Sequence, residues 1–201
     1  MSRQNIRDQQ LRLQIADHAA KIIHESGIRD FQMAKQKAAA ALGIADVHCL
    51  PNNRELEQAL QAYLRLFDAD QAQRLATLRQ AAIDAMEFLT EFKPRLVGAV
   101  LSGTITRHSI IELHLFCDFT EQVGLFLQHK GIPFDVKERR LRLNLNDYQR
   151  YPTIRFIANE IPVELVLFTQ DEIRQAPLSQ IDGKPMHRAT LAEVKKLSGT
   201  T

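Results

Sequence analysis

Residues 93–116 read KPRLVGAVLSGTITRHSIIELHLF, and the spacing of the apolar residues changes here. Before Lys93-Pro94 they recur every three or four residues, as on helices; after it they recur every second residue, as on strands. At the end of the stretch Ile111, Leu113 and Leu115 share one face of a predicted strand, and Glu112 and His114 fall on the other. That second face is either the solvated side of an edge strand or a site.

Working back from residue 93, four helices are predicted. Residues 4–26 place Leu11, Ile15, Ala19, Ile22 and Ile23 on one face, and Gly27 stops the run. Asp30 caps a second helix that ends at Gly43. After a turn in HCLPNN, Asn52 or Asn53 starts a third, with Leu56, Leu60, Tyr63, Leu64 and Phe67 inward. Asp68 or Asp70 caps a fourth, with Leu75, Leu78, Ala82, Met86 and Leu89 inward. Working forward, RLVGAVLSG, IIELHLF, FDVKERRLRLNL, TIRFIAN and IPVELVLF read as strands, and Asn159-Glu160 as a hairpin tip. FTEQVGLFLQHKG reads as a short helix, and Thr190 with Glu193 forms the capping box of a last one.

The 201 residues are 45% hydrophobic, enough for a true core without staples. A net charge of +2 is too balanced to demand nucleic acid as an obligatory partner. Cys49 and Cys117 are too few for a disulfide framework and suit a reducing cytoplasm. MSRQNIRDQQ has no apolar segment after it, and no run approaches the roughly 18 apolar residues of a membrane span, so neither a signal peptide nor a membrane partner is predicted. P-loop, nucleophile-elbow and dinucleotide fingerprints are missing from the sequence. His18, His24, His48, His108, His129 and His187 lack zinc-ligand spacing, and Cys49 beside His48 reads as a turn pair. Lys137, Arg139, Arg140 and Arg142 read as a solvated strand face, with triphosphate or RNA backbone contact as the functional alternative. Lys184 and Arg188 sit in a polar loop that suits a cleft wall.

The order strand, glycine turn, acid-bearing strand, helix, then a later strand with another acid resembles the nucleotidyltransferase superfamily of DNA polymerase beta. Laid on that pattern, Gly98 takes the first glycine, Ala99 the serine, Gly103 the loop glycine and Ser109 the serine before the acids. Ile110 stands where the first aspartate belongs, Glu112 takes the second, and Glu164 in PVELVLF takes the third acid. Through IRDFQMAKQKAAAALG, KPRLVGAVLSGT, HLFCD, GIPFDVKERRLRL and RQAPLSQIDGKPMHRATLAEV the wider chain resembles a bacterial branch at the edge of that superfamily.

The resemblance implies an α+β fold: a helical N-terminal region, residues 1–92, packed on a nucleotidyltransferase-like mixed β-sheet with helices, residues 93–201. It implies catalytic acids at Glu112 and Glu164, and nucleotide contacts at Gly98, Ala99, Gly103, Thr104 and Ser109. In the family chemistry, carboxylates hold the ions that act on the triphosphate, with Mg²⁺ as the expected cofactor. His114 shares the face of Glu112, so Glu112, His114 and Glu164 form a candidate set for a softer metal. With Ala99 lacking a hydroxyl and Ile110 lacking a charge, the expected protein is a degenerate member that binds nucleotide, RNA or a protein partner. The alternatives are an active Mg²⁺-dependent transferase using Glu112 and Glu164, or an interaction module without nucleotide binding.

Overall fold

The structure is a computed structural model that describes residues 3–44, 49–144 and 147–199. The expected pairing of Cys49 with His48, and Leu145 at the end of an expected strand, lie outside the described residues. The fold is α+β, with seven helices and a five-stranded mixed sheet among the described residues. No described helix is long and apolar enough to cross a membrane.

The chain divides into two compact units. One comprises residues up to Ala72 with Thr104–Ser109 and Gln180–Asp182; the other comprises Gln73–Gly103, Ile110–Ser179 and the residues from Gly183 on. The first contains α1 (Arg3–Ser26), α2 (Phe31–Ala41) and α3 (Asn53–Phe67). Asp30 caps α2 by accepting the backbone N–H of Gln32 and Met33. Asn52 and Glu55 form the capping box of α3. The apolar stripes meet in a core of Ile15, Ala19 and Ile23 from α1, Ala34 and Ala38 from α2, and Leu56, Leu60 and Leu64 from α3. Lys35 is buried beside this core, and its ammonium donates to the Pro51 carbonyl at 3.1 Å and Asn53 Oδ1 at 2.8 Å. Phe67 departs from the expected stripe: it is 66% exposed. It is the last residue of α3, and its ring leans on Tyr63 at 4.7 Å instead of entering the core.

The second unit carries α4 (Gln71–Phe88) from Gln73 on, then β1 (Arg95–Val97), α5 (Gly98–Ser102), β2 (Ile111–Phe116), α6 (Glu121–His129), β3 (Asp135–Arg142), β4 (Tyr148–Ala158), β5 (Ile161–Phe168) and α7 (Leu191–Leu197). The strand order is β1-β2-β5-β4-β3. β2 and β5 run parallel and every other pair is antiparallel. Leu96, Ile111, Leu113, Leu115, Val163, Leu165 and Leu167 bury one face almost completely. The expected strand over RLVGAVLSG stops at Val97, because Gly98 turns to φ +73° and the chain enters α5. β2 is an interior strand, which removes the solvated edge strand as an account of Glu112 and His114.

The tip between β4 and β5 holds two non-glycine residues at positive φ, Asn159 at 48° and Glu160 at 67°. This is the two-residue hairpin geometry that favours Asn-Gly. Asparagine tolerates it, but a glutamate Cβ is strained there. Glu160→Gly is therefore expected to raise stability by about 1 kcal/mol, read as a higher urea midpoint at unchanged slope.

Candidate functional site

Alternation puts Glu112, His114 and Phe116 of β2 on the face opposite the leucines. The parallel register sets Glu164 of β5 directly beside Glu112, and Val166 beside His114. Glu112 is 9% exposed, His114 1% and Glu164 2%. Two carboxylates directly opposite each other on neighbouring strands repel unless a cation stands between them.

Arg139 is that cation. Its Nη1 donates to Glu112 Oε2 at 2.6 Å and to Glu164 Oε1 at 2.7 Å. Arg155, opposite Glu164 on β4, pairs with the other oxygen, Glu164 Oε2. Arg139 starts on the edge strand, three strand steps from β2, about 14 Å along a flat sheet. A long arginine and a glutamate meeting over a twisted sheet can close such a gap, whereas an aspartate at 112 would fall one methylene shorter. Burial works against the Arg139 charge, but Glu112 and Glu164 outweigh it and its pKa is raised.

Gly98 completes this end of the site. A Cβ there would stand 3.0 Å from Glu112 Oε1, so the missing side chain makes room for the carboxylate. Ala99 lies within α5, where its carbonyl accepts the N–H of Gly103 at 2.8 Å. Thr104 and Ser109 belong to the first unit. Thr104 donates to Glu57 Oε1 at 2.8 Å, and Ser109 Oγ accepts the N–H of Thr106 at 2.9 Å.

His114 faces a different neighbourhood. Ala189 bridges to Leu96, which brings the adjacent Arg188 to the His114 side of β1. Arg188 Nε donates to His114 Nδ1 at 3.0 Å, and its Nη1 donates to the carbonyls of Glu172 and Gln175. The guanidinium lies 4.5 Å from the Phe168 ring centre and 5.0 Å from that of Phe116. Burial, with Glu172 opposing it, lowers the Arg188 pKa to about 10. An imidazole that accepts at Nδ1 carries its proton on Nε2 and is neutral. Burial, then Arg188 and Arg139, hold the His114 pKa well below the ordinary value.

The structure thus brings Glu112 and Glu164 together around Arg139 and gives His114 to Arg188. Among the described residues no three His, Cys, Asp or Glu side chains are grouped to hold a metal ion. The carboxylate pair as arranged fits a guanidinium. Cys117, at the end of β2, is buried, and burial with Asp118 and Glu121 pushes its thiol pKa up, away from nucleophile chemistry. It lines a 360 Å³ cleft with Phe116, Asp118, Gln122 and Gln170.

The sequence does not single out Arg139 from its basic neighbours. A usable signal was there: Arg139 has the same parity as Leu141 and Leu143, which enter the apolar cluster of Phe116, Tyr151, Val166 and Phe168. Arg155 left no such trace. No protein-family model and no curated protein sequence matches this chain.

Two outcomes test the site. Arg139→Met removes the cation shared by Glu112 and Glu164 and is expected to cost about 3–5 kcal/mol in urea unfolding, while adding Glu112→Gln, with Glu164 left to Arg155, recovers much of the loss. The folded His114 pKa is depressed, so its contribution to stability is complete above the ordinary value of 6.5 and is lost as pH falls from 6.5 toward the folded value. In that window one proton gives a slope approaching about 1.4 kcal/mol per pH unit. His114→Gln, which keeps an acceptor for Arg188, should flatten it.

Proposed function

We propose that this protein is a degenerate, nucleotidyltransferase-like protein that works by binding a phosphate-bearing partner, a nucleotide or an RNA, without transferring a nucleotide. The observation that carries the reading is the shared guanidinium, with Arg139 Nη1 2.6 Å from Glu112 and 2.7 Å from Glu164. In the chemistry that the sequence resembles, carboxylates are kept open for ions on the triphosphate. Here the first acid position is Ile110, and the two remaining acids are engaged by arginines of the same chain. Removing Arg139 to admit an ion would first break a buried pair, a cost of about 3–5 kcal/mol. A cytoplasmic setting suits the two buried cysteines, Cys49 and Cys117.

The test is transfer itself. Incubated with each α-labelled ribonucleoside triphosphate and Mg²⁺ or Mn²⁺, the protein should give no labelled product. Thermal shifts with the same nucleotides should be indifferent to the divalent ion. Ion-dependent labelling that disappears in both Glu112→Gln and Glu164→Gln would establish an active enzyme and overturn the reading.

A further inference from the structure

The sheet has a second charged surface, on the face opposite Glu112. Even-numbered residues of β3 and β4 share that face. The register sets Arg140 opposite Arg150 and Arg142 opposite Tyr148. Arg140 and Arg150 are exposed, Tyr148 is 49% exposed and Arg142 is half-buried. We propose that this surface binds single-stranded nucleic acid, with the guanidiniums on the phosphates and Tyr148 available to a base.

Two like charges directly opposite on neighbouring strands destabilise a sheet. Among the described residues of β3 and β4 the acid on this face is Glu138, 3.3 Å from Arg150 and itself well exposed, so it offsets little of the repulsion between Arg140 and Arg150. A polyanion laid across Arg140 and Arg150 would relieve that repulsion.

Arg140 stacks over the Tyr148 ring at 4.3 Å, and Arg142 stands 6.0 Å from the ring centre. Guanidinium forks match phosphate oxygens two at a time, and a ring flanked by guanidiniums offers stacking to any base. An acidic peptide would use the charges but leave the ring idle.

Charges on an edge strand discourage pairing with another chain. That accounts for the arginines on β3, the edge strand, and for Arg150 on the stretch of β4 that precedes its pairing with β5 at Thr153, but it does not call for the Tyr148 ring beneath the Arg140 guanidinium. The surface lies on the other side of the sheet from the acid pair and stands whether or not the chain transfers nucleotides.

Fluorescence anisotropy of the full chain with labelled oligo(U) and oligo(A) of about 12 nucleotides, with DNA and duplex arms, tests it. Phosphate contacts from the exposed Arg140 and Arg150 predict a slope of log K against log salt of about −1.4 on single strands. Arg140→Gln or Arg150→Gln should weaken binding about tenfold or less and reduce the slope by about 0.7. Tyr148→Leu should weaken binding at unchanged slope, and Glu138→Gln should tighten it. The exposed arginines can be replaced without loss of the circular dichroism signal, which is checked for each variant. Absence of binding at low salt, binding unchanged in the Arg140→Gln and Arg150→Gln variants, or equal competition by polyglutamate would overturn the proposal.

Discussion

The polar face of this sheet depends on one guanidinium. Parallel pairing of β2 with β5 forces Glu112 and Glu164 side by side in a nearly water-free place. Without a cation between them that register would be repulsive, and a slip of one residue would drive the leucines of the other face outward. Arg139 makes the register tolerable, and Arg155 takes the remaining oxygen of Glu164. Arginine suits this place better than lysine, since a planar fork with several donors stays charged under burial.

The same face shows a second solution two residues further along β2. Around His114 the sheet carries Phe116, Tyr151, Val166 and Phe168, an apolar cluster, and Arg188 lies over it. No carboxylate pairs with Arg188 directly among the contacts described; backbone carbonyls, a neutral imidazole and aromatic rings receive it. Charge is matched by charge at one end of the face and by dipoles and rings at the other. This division is what sends His114 to Arg188 and the two glutamates to Arg139.

Much of the fold was legible in local patterns. Asp30, Asn52 and Thr190 cap the helices that follow them because each oxygen meets N–H groups two or three residues on, a purely local matter. Asn159-Glu160 marked its hairpin for the same reason. The misreadings lie where a distant partner decides. RLVGAVLSG has the composition of a strand, yet Gly98 leaves it to let Glu112 in from the next strand. Phe67 follows the stripe of α3, yet the helix ends there and the ring stays at the surface.

Period alone determined that Glu112 and His114 share a face away from the leucines, because side chains on a strand alternate whatever its neighbours are. It also determined that the first acid position holds Ile110. Which strand lies beside β2, and which cation reaches its carboxylate, was decided by the tertiary structure. Pairing between residues 112, 139 and 164 is set by the packing of the whole sheet: parity places Arg139 on the face of the acids, but the partner it meets across the two intervening strands is fixed only when the sheet assembles.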